Sequence, residues 1–237
     1  MDSFSDRRSE WFVPRFGPLK FRVFVGLLFL PYTGMVLAYA VLGSMLAKQV
    51  YWDRVAAIGL IYFLGLGLSA HALDAIGGRG KTKPWGNHFS RKTLWTIAVF
   101  ALIPAYAIGI YYILFWTPWL VVVALLEGFF LFAYNLEWFD GRFHTDAWFA
   151  FSWGVLPVLG GFIIQTNTLS PSVCALAGAM GLFSLVEINA SRPYKEIKRS
   201  GEKAGQKFQK RYEQILKGIS LGVILLAMAL VCFRLGL

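Results

Sequence analysis

Long apolar stretches separated by short polar segments are the main pattern of the chain. Seven of these stretches reach or approach the roughly 20 residues that an α-helix needs to cross the hydrocarbon core of a bilayer. They cover residues 23–46, 55–77, 94–115, 118–136, 147–166, 171–190 and 216–236. The pattern predicts an all-α, polytopic membrane protein with about seven transmembrane helices.

The polar segments between these predicted spans are too short to form a second domain. The longest are the N-terminal segment and the connection from Ser191 to about Gln214, and neither is long enough to bury a core of its own. We expect a tail over residues 1–22 and one transmembrane helical domain over residues 23–237. The first 20 residues show no apolar segment ahead of a small-residue cleavage site, so no signal peptide is expected.

Basic residues are distributed unequally between the two ends of the predicted bundle. The tail and the second, fourth and sixth connections hold 20 of the 23 Lys and Arg residues, and the other end keeps only Lys48, Arg54 and Arg234. Because positively charged loops stay in the cytoplasm, we expect a cytoplasmic N-terminus and, with seven spans, a C-terminus on the opposite side. Topology and attraction to anionic lipid headgroups explain the net charge of +10 without a nucleic-acid partner, and phosphorylated substrates are a more specific explanation.

Three clusters of polar residues fall at the predicted cytoplasmic ends of the second, fourth and sixth spans. They are His71, Asp74 and Arg79; then Glu137, Asp140, Arg142, His144 and Asp146; and finally Glu187, Asn189 and Arg192. His71 and Asp74 are three residues apart and therefore share one face of a helix. Ionisable side chains in membrane helices usually face a cavity, a partner or a substrate. The clusters predict a cytoplasm-facing cavity for a ligand that is acidic or phosphorylated at one end and apolar at the other.

Each of these features also has a simpler structural interpretation. His71 and Asp74 can be a hydrogen-bonded pair that joins two helices, and the turn after the fourth span can be a set of surface salt bridges. Glu127, near the middle of the fourth span, is costly there, but it can be protonated and bonded to a neighbouring helix. The basic stretch 192–217 is typical of a helix that faces solvent or headgroups.

The end of the second span resembles the first signature of the UbiA superfamily of intramembrane prenyltransferases. That family has Asn-Asp-x-x-Asp-x-x-x-Asp followed by a basic loop, and this chain has HALDAIGGRGKTKPWGNHFSRKTLW from His71 onward. Asp74 matches the second aspartate, whereas His71 and Gly78 replace the first and third. The end of the sixth span, SLVEINASRPYKEIKRSGEKAG, is similar in position to the second aspartate-rich motif of the family, and there Glu187 is the carboxylate, with Asn189 beside it.

The resemblance implies transfer of a prenyl group from an isoprenyl diphosphate, held through Mg2+, to a lipid or aromatic acceptor. Asp74 and Glu187 are then the candidate metal ligands and, with His71, the candidate catalytic residues. The candidate substrate-binding residues are Arg79, Lys81, Lys83, Glu127, Asp140, Arg142, Asn189 and Arg192. At His71 the chain departs from the family, which has an aspartate at this position. Histidine is a poor Mg2+ ligand but a good proton carrier.

Several alternatives remain open at this point. A terpene cyclase of the same superfamily would use a similar cavity, and a non-catalytic protein that binds an isoprenoid or a quinone would need no metal. A proton-coupled transporter could use Glu127 and His71. A retinal protein is disfavoured because the seventh span has no central lysine, and three histidines are too few for a membrane di-iron enzyme. Membrane lipids are expected partners in every case.

Overall fold

The computed structural model describes residues 10–77, 88–200 and 205–237, and these residues form helices and no strands. The helices are α1 (Leu19–Leu28), α2 (Leu30–Met45), α3 (Trp52–Tyr62), α4 (His71–Gly77), α5 (Arg91–Phe115), α6 (Leu120–Asn135), α7 (Asp146–Ala150), α8 (Leu156–Thr166), α9 (Pro171–Ser200) and α10 (Gln206–Leu235). A π-helical stretch, Phe63–Ala70, joins α3 to α4, and a second one, Phe151–Val155, joins α7 to α8. The predicted all-helical fold is confirmed.

Six helical runs in the described part of the chain are long and apolar enough to cross a membrane. They are Leu19–Met45, Trp52–Gly77, Arg91–Phe115, Asp146–Thr166, Pro171–Lys198 and Gln206–Leu235. Helix α6 lies where the fourth span is predicted, but it has only 16 residues. At 1.5 Å per residue it is about 24 Å long, shorter than the roughly 30 Å of a hydrocarbon core. The fold is therefore compatible with a multi-pass membrane protein, and α6 is the predicted span that falls short in length.

Several helix ends differ from the ends of the apolar stretches. Helix α1 begins at Leu19, inside the predicted tail, and Phe29, with a left-handed φ of 43°, separates it from α2. Helix α9 continues to Ser200 and α10 begins at Gln206, inside the predicted polar connection. Lys, Arg, Glu and Gln are good helix formers, so the loss of apolar character does not end these helices.

Helix α2 lies in the core and packs against α8 on one side and α10 on another. Its contact with α8 is close, because a Cβ added to Gly161 would collide with the carbonyl oxygen of Ala40. The Ser44 hydroxyl donates a hydrogen bond to the carbonyl oxygen of Gly161, 2.9 Å away. Small residues that let two backbones approach, together with an interhelical hydrogen bond, are typical of helix packing in membranes.

Two arginines bind helix ends at the side of the bundle opposite Glu10. Arg54 donates to the carbonyl oxygens of Ile164 and Gln165, both at 3.1 Å, at the end of α8. Arg234 donates to the carbonyl oxygen of Met45 at 2.6 Å, just where α2 ends. The last carbonyls of a helix have no partner within the helix, so these bonds satisfy them and tie together four helices, α2, α3, α8 and α10.

Candidate functional site

The π-helical stretch Phe63–Ala70 leads into α4, which carries His71 and Asp74. These two residues lie at the end of the bundle that contains Glu10, and we call this end the N side. Such π-helical stretches interrupt α-helices and are frequent at functional sites. Helix α4 packs closely on the end of α6, because a Cβ added to Gly77 would collide with the carbonyl oxygen of Asn135. This packing brings Asp74 into electrostatic range of Tyr134.

The His71 imidazole lies among aromatic rings from the junction between α1 and α2, from α2 and from the second π-helical stretch. Its ring centroid is 6.1 Å from that of Phe29, 6.2 Å from that of Tyr32 and 6.3 Å from that of Trp153. Its Nε2 is 3.4 Å from the Thr33 hydroxyl. We call Phe29, Tyr32, Tyr134, Phe149 and Trp153 the aromatic cluster; the closest pair of its rings, Tyr32 and Phe149, stacks at 5.3 Å.

A small pocket beside this cluster contains Glu187, which is only 4% exposed. We call it the rim pocket, and its polar lining residues are Glu10, Tyr32, Glu187, Ser191, Tyr194 and Lys195, with Ser220. Three buried atoms in it have no hydrogen-bond partner in the described part of the chain: Glu187 Oε2, the Tyr32 hydroxyl and the Ser191 hydroxyl. Buried polar atoms nearly always have a partner, so three of them around one pocket indicate a polar ligand or water.

The N-terminal segment closes one side of the rim pocket through a buried carboxylate. Glu10 is 8% exposed; it accepts a hydrogen bond from the Tyr194 hydroxyl at 2.8 Å and pairs with the Lys198 ammonium at 2.9 Å. Lys195 lies within electrostatic range of Glu187, and its ammonium is 5.4 Å from the centroid of the Phe29 ring. The pocket therefore combines carboxylates, cations and hydroxyls at the end of α9.

The polar clusters predicted at the ends of the second, fourth and sixth spans meet at Tyr134. The Arg192 guanidinium is 2.7 Å from the Asp146 carboxylate and also interacts with the Tyr134 hydroxyl. The His144 ring stacks on Tyr134 with 4.4 Å between centroids. Since Asp74 acts on the same tyrosine, residues from α4, α7 and α9 and from the turn before α7 form one group at the N side.

Other predicted site residues do not join this group. Asn189 is exposed on α9, and Asp140 and Arg142 are exposed on the turn after α6. Glu127 lines a separate pocket, described below. Arg79, Lys81 and Lys83 lie outside the described residues, so their proposed phosphate contacts stay predictions.

The metal site also stays a prediction. Within residues 10–77, 88–200 and 205–237, no group of three or more His, Cys, Asp or Glu side chains could hold a metal ion. Of the carboxylates that Mg2+ prefers, Glu10 and Glu187 both line the rim pocket, and Glu187 Oε2 has no hydrogen-bond partner among the described residues. The close approach of Asp74 to Glu187, expected from the sequence, is likewise still a prediction.

The sequence pattern did not single out several residues of the rim pocket. Glu10 is one of three acidic residues in a polar tail, and Tyr32 is one of 40 aromatic residues in the chain, so neither carries a local signal. Tyr194 and Lys195 belong to the basic stretch 192–217, whose composition is typical of a helix that faces solvent or headgroups, and Ser191 directly precedes it. These three residues line the pocket because α9 continues beyond Glu187. The apolar stretch ends at residue 190 and so does not predict this continuation.

Fold and site together define an all-helical protein, compatible with multiple membrane crossings, that has a polar site beside an aromatic cluster at one end. Comparisons of the chain with models of protein families, with curated proteins and with solved structures find no match in any of the three.

Proposed function

We propose that the chain is a UbiA-like integral membrane protein that transfers a prenyl group from an isoprenyl diphosphate to a lipid or aromatic acceptor. The observation that carries this proposal is the rim pocket, with its three unpartnered polar atoms, next to the aromatic cluster around His71. A ligand with a charged head and an unsaturated apolar tail matches both surfaces.

The rim pocket suits the diphosphate end of this substrate. The Tyr32 and Ser191 hydroxyls can donate hydrogen bonds to phosphate oxygens, and Lys195 contributes positive charge. Glu187 and Asp74 would hold Mg2+, which neutralises the diphosphate when it is bound. Arg192 lies on the same helix as Glu187 and would add a second cation near the head.

The aromatic cluster suits the reacting end. In prenyl transfer the bond between the allylic carbon and the diphosphate oxygen breaks, and its electrons leave with the diphosphate. The acceptor then forms a bond to that carbon and loses a proton. Aromatic faces attract the positive charge that develops on the allylic carbon. The His71 imidazole, which lies among these rings, would take up the proton.

The proposal includes the arrangement in the membrane. The N side faces the cytoplasm, as the basic residues indicate, and α6 crosses as the seventh span, so that the C-terminus lies on the opposite side. A lipid substrate would then reach a cytoplasm-facing cavity at the N side from the inner leaflet.

A second function, binding of an isoprenoid or quinone without catalysis, is favoured by one observation. His71 and Gly78 replace two of the three aspartates of the resembled motif, which leaves fewer ligands for a metal-bound diphosphate. The two functions share a ligand class and differ in turnover.

The test uses the full chain in lipid nanodiscs with radiolabelled geranylgeranyl diphosphate and Mg2+. We expect saturable binding and release of diphosphate when a membrane-extract acceptor is added, and a loss of at least about tenfold in both for Asp74→Asn and Glu187→Gln. Glu196→Gln, an exposed carboxylate on the same helix as Glu187, is the matched control. Binding without turnover would select the non-catalytic function, and unchanged binding in both variants would overturn the site.

A further inference from the structure

A second pocket lies between α3, α5, α6 and the π-helical stretch that follows α3. Its cavity volume is about 90 Å³, and we call it the flank pocket. Its apolar walls include Ile58, Leu66, Ala105 and Val123, and none of its lining residues belongs to the rim pocket. A ligand in the flank pocket would therefore not occupy the proposed prenyl site.

Glu127 supplies the only formal charge among the residues that line the flank pocket in the described chain. Both of its carboxyl oxygens are buried, and the Tyr62 hydroxyl is the one side chain in the described part of the chain that comes within hydrogen-bonding reach of them. The Tyr62 hydroxyl is near Glu127, but it donates its hydrogen bond to the carbonyl oxygen of Leu156, 3.2 Å away. A carboxyl group can take part in more hydrogen bonds than one tyrosine supplies, and leaving them unmade in a buried site is costly. This side chain therefore favours a hydrogen-bonding group from outside the chain.

Small residues keep the space in front of Glu127 open. Gly65, on the π-helical stretch, and Gly109, on α5, both line the pocket, and a Cβ added to either would meet no atom within 4 Å. The Tyr106 hydroxyl lies over Gly128, where an added Cβ would collide with it. The pocket thus has an open apolar part and one polar end formed by Glu127 and two tyrosines.

We propose that the flank pocket binds an apolar ligand whose polar group is a hydrogen-bond donor, a hydroxyl or a protonated amine, and that this group donates to Glu127. Ligand pockets are commonly apolar with a few polar groups that fix orientation, and a ligand group that bonds to a buried carboxyl group relieves the cost of leaving its hydrogen bonds unmade. This inference is independent of prenyl transfer, because it rests on a pocket with different lining residues.

The experiment uses three photoreactive probes with the same C16 chain: an alcohol, a primary amine and a plain hydrocarbon. The full chain in nanodiscs is labelled, and the labelled residues are mapped by mass spectrometry. We expect the alcohol or the amine to label α3, α5 and α6 at a concentration about tenfold lower than the hydrocarbon. Equal labelling by all three probes would mean bulk lipid contact only and would overturn the proposal.

Three variants and a control locate the interaction. Glu127→Leu is expected to remove the roughly tenfold preference for the donor-bearing probe. Glu127→Gln keeps an acceptor for the alcohol but not the charge for the amine, so it identifies which donor binds.

Gly109→Leu fills the open part of the pocket and should reduce labelling by every probe, which keeps the test valid if the Glu127 variants fold poorly. Gly222→Leu, exposed on α10 with open space around it, is the control; a preference that survives in Glu127→Leu contradicts the proposal.

Discussion

At the residue scale, two tyrosines connect side chains that are far apart in the sequence. The Tyr32 ring lies beside His71, and Tyr32 also lines the rim pocket together with Glu187. Tyr134 interacts with both Asp74 and Arg192. The ionisable residues could be predicted as site candidates because charges are rare in apolar stretches. The tyrosines could not, since the same residue type also fills cores and faces lipid throughout this chain.

The role of His71 gives a prediction at this scale. One ring nitrogen of His71 can donate a hydrogen bond to the diphosphate while the other takes up the proton of the acceptor. An imidazole that donates in this way distinguishes the diphosphate from an uncharged ligand. His71→Ala should therefore weaken binding of geranylgeranyl diphosphate by about tenfold and binding of geranylgeraniol by much less. His71→Asp should increase the dependence of binding on Mg2+, because a carboxylate restores an oxygen ligand.

Equilibrium binding in nanodiscs with the two ligands measures this difference. His88→Ala, which changes an exposed histidine, should alter neither affinity. Equal losses for the diphosphate and the alcohol would make His71 a packing residue of the aromatic cluster.

At the scale of elements, the apolar stretches predict where the helices lie but not where they end. Helices α9 and α10 extend through charged residues, because hydropathy reports burial in lipid, whereas helix formation follows backbone propensity and packing. Helix α6 illustrates the reverse case: the apolar stretch 118–136 has 19 residues and the helix only 16. After the helix the chain turns through residues with positive φ, Glu137, Phe139 and Asp140.

The contact between α2 and α8 gives a prediction at this scale. Gly161→Ala places a methyl group against the backbone of α2 at Ala40, so the two helices must separate. We expect a loss of about 1–3 kcal/mol in the free energy of unfolding, measured by SDS titration in mixed micelles. Gly178→Ala, exposed on α9 with no neighbour near the added Cβ, should leave stability unchanged or raise it slightly, and an equal loss in both variants would contradict close packing at Gly161.

At the scale of the whole molecule, the two ends of the bundle differ in the polar groups that they contain. The N side gathers ion pairs, tyrosines and unpartnered polar atoms, whereas Arg54 and Arg234 satisfy helix carbonyls at the other end. The sequence predicts such a difference from its polar clusters and its basic residues, which fall at one end of the predicted bundle. It could not predict the rim pocket, because the pocket depends on how α2, α9, α10 and the segment at Glu10 pack together.

The crossing number can be tested through the two chain ends. Seven crossings, with α6 included, place the N-terminus and the C-terminus of this chain on opposite sides of the membrane. Epitope tags at residues 1 and 237 should therefore differ in protease protection when the protein is inserted in sealed inner-membrane vesicles. Equal protection of both tags would mean that α6 does not cross.

The central claim is that the protein binds a prenyl lipid. The most direct test identifies the lipid that stays bound to the protein during purification. Native mass spectrometry of the purified full chain, followed by extraction and fragmentation of the bound species, names that lipid. We predict a prenyl diphosphate or a prenylated product, displaced when geranylgeranyl diphosphate is added and lost in Glu187→Gln. A preparation that carries only bilayer phospholipids and takes up no added prenyl diphosphate would contradict the claim.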